Sequence, residues 1–266
     1  MAGPDPLPGA RPMPALVLLL HGFPECWWAW SEVMPAISEA GHRVAALDLR
    51  GFGGSDRPPS GYSLSTLADD VLGVIRSLGH ESAVIVGAGL GGQVAWLLAA
   101  REPMTVRAIV PVGAPHPVAV RSLRGRMLSG ASLQYLMFKT PVLPERSLST
   151  TAGMERLLRS WAGPATREAA AEPAEYYAAL LARPGVRSAL LSRREIMALD
   201  RTVGVPVLSV QGQLDPVQPA QAYARDTHHV AGPLQQVTVR GVGHFPHREA
   251  PERLLEVVLP FLGAQA

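Results

Sequence analysis

Apolar residues in this chain cluster in short, separated runs. Six of these have the length of a buried strand: 15–20, 43–48, 83–87, 107–113, 205–211 and 235–240. Apolar runs of that length suit strands covered on both faces. Amphipathic patterns fall between several of them, most clearly at 65–78, where Leu67, Val71, Val74, Ile75 and Leu78 make one stripe and Gly79 stands where a helix would end. Strands alternating with helices predict an α/β protein with a mostly parallel, twisted sheet and helices on both faces.

Over residues 117–202 the alternation stops. No convincing strand appears, and the composition turns to Ala, Arg, Leu and Glu, as in RLLRSWAG and EYYAALLARPGVRSALLSRREIMAL. This predicts a helical insertion between two strands, with a core at 14–116 and 203–266 and a Pro- and Gly-rich mobile tail at 1–13. An insertion at the strand ends of an open sheet would overhang the ligand crevice. The plainer alternative is a helical decoration with no part in binding.

Composition narrows the partners. The chain has 266 residues, 47% hydrophobic, with a formal net charge of +2. One compact core with an insertion fits that length. Lys139 is the sole lysine and no basic run occurs, so nucleic acid and anionic membrane are poor partners. The run Leu16–Leu20 is far too short to span a bilayer. Cys26, the single cysteine, excludes an internal disulfide and suits a reducing compartment. The expectation is a cytoplasmic protein, monomer or homodimer.

The stretch VIVGAGLGGQVAW (84–96) carries the candidate chemistry. Its Gly87-Ala88-Gly89-Leu90-Gly91-Gly92 fits G-x-G-x-x-G, the phosphate-cradling turn of a dinucleotide site. That turn needs a first strand, and an acidic residue at the end of the next strand to hold the ribose. Here the strand is about the third, and the next one ends in Gly113, Ala114, Pro115 and His116. The same residues also fit a nucleophile elbow, a sharp strand-to-helix turn flanked by small residues, with an acid and a histidine following later strands in that order. Asp215 in GQLDP and His244 in GVGHF each stand just past a strand end. HGFPE (21–25) follows the first strand, where a loop N–H can face a developing oxyanion. Phe23 and Leu90 are the candidate donors.

The runs HGFPECWWAW, DLRGFGGSDRP (48–58), the 84–96 turn, GQLDPVQP (212–219) and GHFPHREAPE (243–252) together resemble the α/β-hydrolase fold. Within it they most resemble the epoxide hydrolase-like branch, which also holds haloalkane and haloacid dehalogenases. The likeness implies a helical cap over the site and a small, largely apolar molecule as substrate or ligand. It also implies that the centre of the elbow should be a nucleophilic aspartate, or serine in the esterase relatives. In this chain it is Gly89, so the usual covalent step has no attacking atom. The branch's two cap tyrosines align on Gln134, with Tyr135 adjacent, and on about Arg193. Tyr176 and Tyr177 are further candidates for that role. The segment before HGFPE is also short for the two strands that the family carries there.

Three functions remain open: hydrolysis by water activated at His244 with Asp215 behind it, ligand binding without turnover, and a lyase, isomerase or cyclase using His244 as acid/base. Trp27, Gln134, Tyr135, His116 and Phe245 are the candidate substrate contacts. Trp27, Trp28 and Trp30 also suit packing of the cap onto the core. Cys26 is a remote candidate nucleophile, since a free cysteine more often packs as a small hydrophobe. No cofactor is implied, and no His, Cys or carboxylate set has metal-ligand spacing.

Overall fold

A computed structural model describes residues 15–121, 143–184, 202–218 and 220–265. The expected tail, and Gln134, Tyr135 and Arg193, lie outside the described residues. All six expected strands form, with ends moved by a residue or two: β1 (Leu16–Leu20), β2 (Arg43–Leu47), β3 (Ala83–Ala88), β4 (Val106–Val112), β5 (Val207–Gly212) and β6 (Leu234–Val239). They make one sheet in the order β2-β1-β3-β4-β5-β6. Every pairing is parallel.

Strand pleating divides the core in two. Leu16, Leu18 and Leu20 join Ala83 and Ile85 on one face of the sheet. Val17 and Leu19 join Val84, Val86 and Ala88 on the other. Both faces are covered, which is why β1 and β3 read as unbroken apolar runs. The edge strand β6 departs from that expectation. Gln235, Gln236 and Thr238 are exposed, because β6 has a neighbour on one side only.

The first helices are α1 (Met34–Glu39) and α2 (Leu64–Ser77). Helix α2 buries Leu67, Val71 and Ile75, with Val74 and Leu78 packed at the margin. Ser63 caps its start by accepting the Thr66 N–H at 3.0 Å. Gly79, at φ 81°, ends it. The Gly79 N–H donates to Arg76 O at 2.9 Å and the His80 N–H to Ile75 O at 3.1 Å, satisfying the last carbonyls.

Helix α3 (Gly89–Arg101) follows β3 directly. Between β4 and β5 come α4 (Pro117–Arg121), α5 (Leu143–Leu148), α6 (Thr151–Trp161), α7 (Arg167–Ala171) and α8 (Ala174–Leu181). No strand occurs among the described residues of 117–202. The chain closes with α9 (Ala220–Ala224), α10 (Pro246–Glu249) and α11 (Pro251–Gly263).

The strand order locates a crevice. From β1 the chain passes to β2 on one side, and β3 then lies on the other side of β1. The loops leaving β1 and β3 therefore diverge at their carboxyl ends. Such a switch point is where open α/β sheets bind ligands.

Candidate active site

The elbow sits at that switch point. Strand β3 ends at Ala88 and α3 starts at Gly89, whose φ is 44°. A residue with a Cβ is strained in that region, and glycine is not. The four glycines of the turn are not equivalent. A Cβ on Gly87 would lie 2.4 Å from the Gly91 carbonyl carbon, one on Gly91 2.3 Å from Leu20 O, and one on Gly92 2.4 Å from the Ala114 Cβ. Close backbone packing excludes side chains at those three. A Cβ on Gly89 meets only Gly22 Cα and His244 Nε2, each at an ordinary 3.6 Å.

Asp215 and His244 meet across the ends of β5 and β6. The Asp215 Oδ1 accepts the N–H groups of Val217 at 2.8 Å and Gln218 at 3.1 Å, which fixes the carboxylate. Its Oδ2 lies 2.9 Å from His244 Nδ1. A carboxylate only accepts, so Nδ1 carries the proton and Nε2 presents a lone pair in the neutral ring. That nitrogen faces Gly89. The His244 backbone N–H donates to Trp161 O at 2.8 Å, tying the histidine loop to the end of α6.

Of the proposed oxyanion donors, Leu90 is the second residue of α3, where a helix leaves its N–H without an intrahelical partner. Phe23 lies in the loop after β1. Its ring meets Phe52 at 6.2 Å and Trp161 at 6.4 Å between centroids. Phe245 is buried and stacks on Trp161 at 6.0 Å. Phe23, Trp161 and Phe245 thus form an aromatic wall beside His244.

The other sequence candidates fall elsewhere. Trp27 is 42% exposed, and its backbone N–H donates to Asp48 Oδ1 at 2.7 Å. Trp28 packs on Tyr176 and Tyr177 of α8, the contact between core and insertion that its pattern suggested. His116 is fully buried in a separate cluster. Its N–H donates to Asp226 Oδ1 at 2.8 Å, and its ring stacks on His229 at 4.2 Å. Burial drives the His116 pKa down to about 3, while burial raises Asp226 to about 7. Burial also lifts the Cys26 thiol to about 11, which leaves it a poor nucleophile.

Several residues that frame the site were not singled out from the sequence. His21 accepts the Leu49 N–H at Nε2, 3.0 Å, and its Nδ1 lies 2.7 Å from Gly22 O. Burial lowers its pKa, so it serves as a neutral strut. Glu25 pairs with His247 Nε2 at 3.0 Å, both side chains being almost fully buried. Burial pushes the Glu25 carboxyl up, but His247, His21 and Arg248 together outweigh it and the net shift is downward. Glu249 accepts the N–H groups of Gly163 at 2.8 Å, Gly243 at 2.9 Å and Phe245 at 2.9 Å, and the Thr166 hydroxyl. One carboxylate thereby joins the His244 loop to the loop after α6. Asp48, in the DLRGFGGSDRP run, accepts the backbone N–H groups of Trp27 and Gly54 and so clamps two loops. A groove of about 450 Å³ beside β2 and α2 is lined by Asp48, Arg50, Asp56, Asp69 and Asp70 among others, and by none of the candidate site residues.

Fold, elbow, ordered acid and histidine together define one class. The chain belongs to the alpha/beta hydrolase fold family, whose model matches residues 15–251. It is 28% identical over 294 residues to epoxide hydrolase A of Mycobacterium tuberculosis, covering 95% of this chain and 91% of that one. A match to the AB hydrolase superfamily protein YfhM of Bacillus subtilis is 36% identical over 139 residues and spans about half of each chain (50% and 48%). Among solved structures, epoxide hydrolase A of Mycobacterium thermoresistibile superposes with a TM-score of 0.81 at 27% identity, covering 94% of this chain and 91% of that one. No described helix is long and apolar enough to cross a membrane.

Proposed function

We propose that the chain hydrolyses a small, largely apolar substrate of the epoxide or ester class by direct attack of water, with no covalent intermediate. His244 is the base, and Asp215 holds the imidazole in the tautomer that leaves Nε2 able to accept a proton. One observation carries this reading: His244 Nε2 lies 3.6 Å from where a Gly89 side chain would begin. A water beside Gly89 would give its proton to Nε2 while its oxygen attacks the substrate carbon. With an epoxide, the attacked C–O bond would open to an alkoxide that takes a proton from water, and the imidazolium would return its proton to water; with an ester, the N–H groups of Phe23 and Leu90 would receive the oxyanion, and the imidazolium would return the proton to the leaving alcohol. Relatives named as epoxide hydrolases support the epoxide class. The aromatic wall of Phe23, Trp161 and Phe245 supports an apolar substrate.

Single turnover in ¹⁸O-water tests it. Label should enter the product in the first turnover, and His244→Gln should lower turnover by about 10²–10⁴. Unchanged turnover in His244→Gln would end this reading, and a product without label would favour a lyase or cyclase. Gly89 itself favours a second reading, ligand binding without turnover. Gly89→Asp and Gly89→Ser, assayed on epoxides, haloacids and esters, separate the two. Activity gained in one variant alone, over an inactive parent, would identify the ancestral chemistry and make the parent a binding protein.

A further inference from the structure

We infer that Arg57 and Arg183 form a binding site for a phosphate group, set where the loop after β2 meets the end of α8. The site is separate from His244 and does not depend on the hydrolase reading.

The two side chains converge on one carbonyl. Arg57 Nη2 donates to Gly53 O at 3.0 Å, and Arg183 Nη1 donates to the same oxygen at 3.4 Å. The two nitrogens therefore lie no more than 6.4 Å apart, the sum of those distances. Arg57 Nη2 also reaches Leu180 O of α8 at 3.4 Å. Like charges held this close favour an anion beside them. Neither arginine joins an ion pair among the described residues. Burial first, and then Arg183, lower the Arg57 pKa. A double positive charge thus stands at the junction of core and insertion.

The remaining donors decide the kind of anion. Each guanidinium carries five N–H donors in a planar fork. Together the two arginines make three hydrogen bonds among the described residues. Arg57 Nε is buried and has no partner among them. A buried donor is costly until an acceptor sits beside it. A phosphate offers three strong acceptor oxygens and nearly two negative charges, which suit two forks and two positive charges. A carboxylate has two oxygens and one charge. The loop holds the shared carbonyl firmly. Gly53 has φ 51°, and a Cβ built there would run into the Asp48 carboxyl. Two nearby carboxylates oppose an anion. Asp48 attracts Arg57, but its oxygens already accept the backbone N–H groups of Trp27 at 2.7 Å and Gly54 at 2.8 Å. Asp56, next to Arg57 in sequence, is exposed, so water and salt screen it.

The test titrates sodium phosphate into the full-length protein by isothermal calorimetry at about pH 8, where phosphate carries nearly two charges. Sodium chloride and sodium acetate at equal ionic strength are the controls. Phosphate should saturate with a Kd of about 1 mM or tighter, and acetate should bind at least about tenfold more weakly. Phenyl phosphate binding as well as the free ion would extend the site to phosphate monoesters, and weaker binding would assign it to inorganic phosphate. Arg57→Gln and Arg183→Gln should each weaken phosphate by about tenfold or more, the worth of a charge-assisted hydrogen bond. Arg167→Gln removes the same charge from an exposed position on α7 and should leave the affinity unchanged. Arg183 is exposed, so its variant should fold, and a thermal melt checks this. Phosphate should raise the melting temperature of the parent and not that of Arg183→Gln. Failure of phosphate to saturate the parent, equal affinity for acetate or chloride, or full affinity in a folded Arg183→Gln would each overturn the inference. None of these readouts uses turnover. Their failure would leave the hydrolase reading untouched, and a protein that hydrolyses nothing would leave this site standing.

Discussion

Asp226 and His116 show what burial does to single residues. Both are fully buried, and the Asp226 carboxylate accepts from the His116 N–H at 2.8 Å and the Ser209 hydroxyl at 2.9 Å. Those two bonds favour the charged form, but burial outweighs them and Asp226 rises from 3.8 to about 7. The folded protein thus binds a proton that the unfolded chain has lost between pH 4 and 7, and stability falls as pH rises through that window. The cost of ionising Asp226 reaches roughly 4 kcal/mol by pH 8. Asp226→Asn should therefore gain stability over the parent as pH rises from 4 to 8, seen in urea melts at each pH. His116 works in the opposite sense. Its pKa falls from 6.5 to about 3, so it lowers stability as pH falls from 6.5 toward 3. Neither shift was legible in the sequence, where His116 stood as a candidate substrate contact and Asp226 was not singled out. Burial is a property of the packed molecule.

At the scale of elements, α2 and the elbow were the most legible parts. The 3.6-residue stripe of α2 and its terminal glycine appear in the sequence because a lone amphipathic helix carries its own pattern. Its Ser63 cap was not singled out, although a serine before an apolar repeat is the usual signal. Ser63→Ala should cost about 1 kcal/mol in chemical denaturation. The elbow's glycines were legible as a motif but not as individual demands. Gly91→Ala would press a methyl into Leu20 O at 2.3 Å and should abolish soluble expression or cost several kcal/mol. Gly89→Ala meets nothing closer than 3.6 Å and should cost only the strain of its φ, on the order of 1 kcal/mol. Thermal melts of the pair would show whether the two positions differ as the packing requires.

On the scale of the whole molecule, two buried carboxylates lock the site together. Glu249 ties the His244 loop to the loop after α6 through three backbone N–H groups. Glu25 in the loop after β1 pairs with His247 of α10, 222 residues away in sequence. Removing Glu249 would leave buried donors unpaired, and Glu249→Ala should cost at least about 2 kcal/mol and displace His244. Glu25→Gln would leave His247 without its charged partner and should cost about 3–5 kcal/mol. Denaturation curves measure both costs. Loss of turnover in Glu249→Ala that exceeds the loss in Glu25→Gln would show that the Glu249 brace acts through His244.

The chain's own pattern determined six strands, their alternation with helices, the helical insertion and the order of elbow, acid and histidine, because each is written in local periodicity or in motifs a few residues long. It also determined the anomaly, a glycine where the nucleophile would stand. Only the tertiary structure decided that Gly89, unlike Gly87, Gly91 and Gly92, could carry a Cβ without a clash. It alone decided that His244 faces Gly89, and that Glu25 and Glu249 hold the surrounding loops. Those facts depend on which backbones approach across long stretches of intervening chain, 86 residues between Gly163 and Glu249 and 222 between Glu25 and His247, and no local pattern encodes such distances.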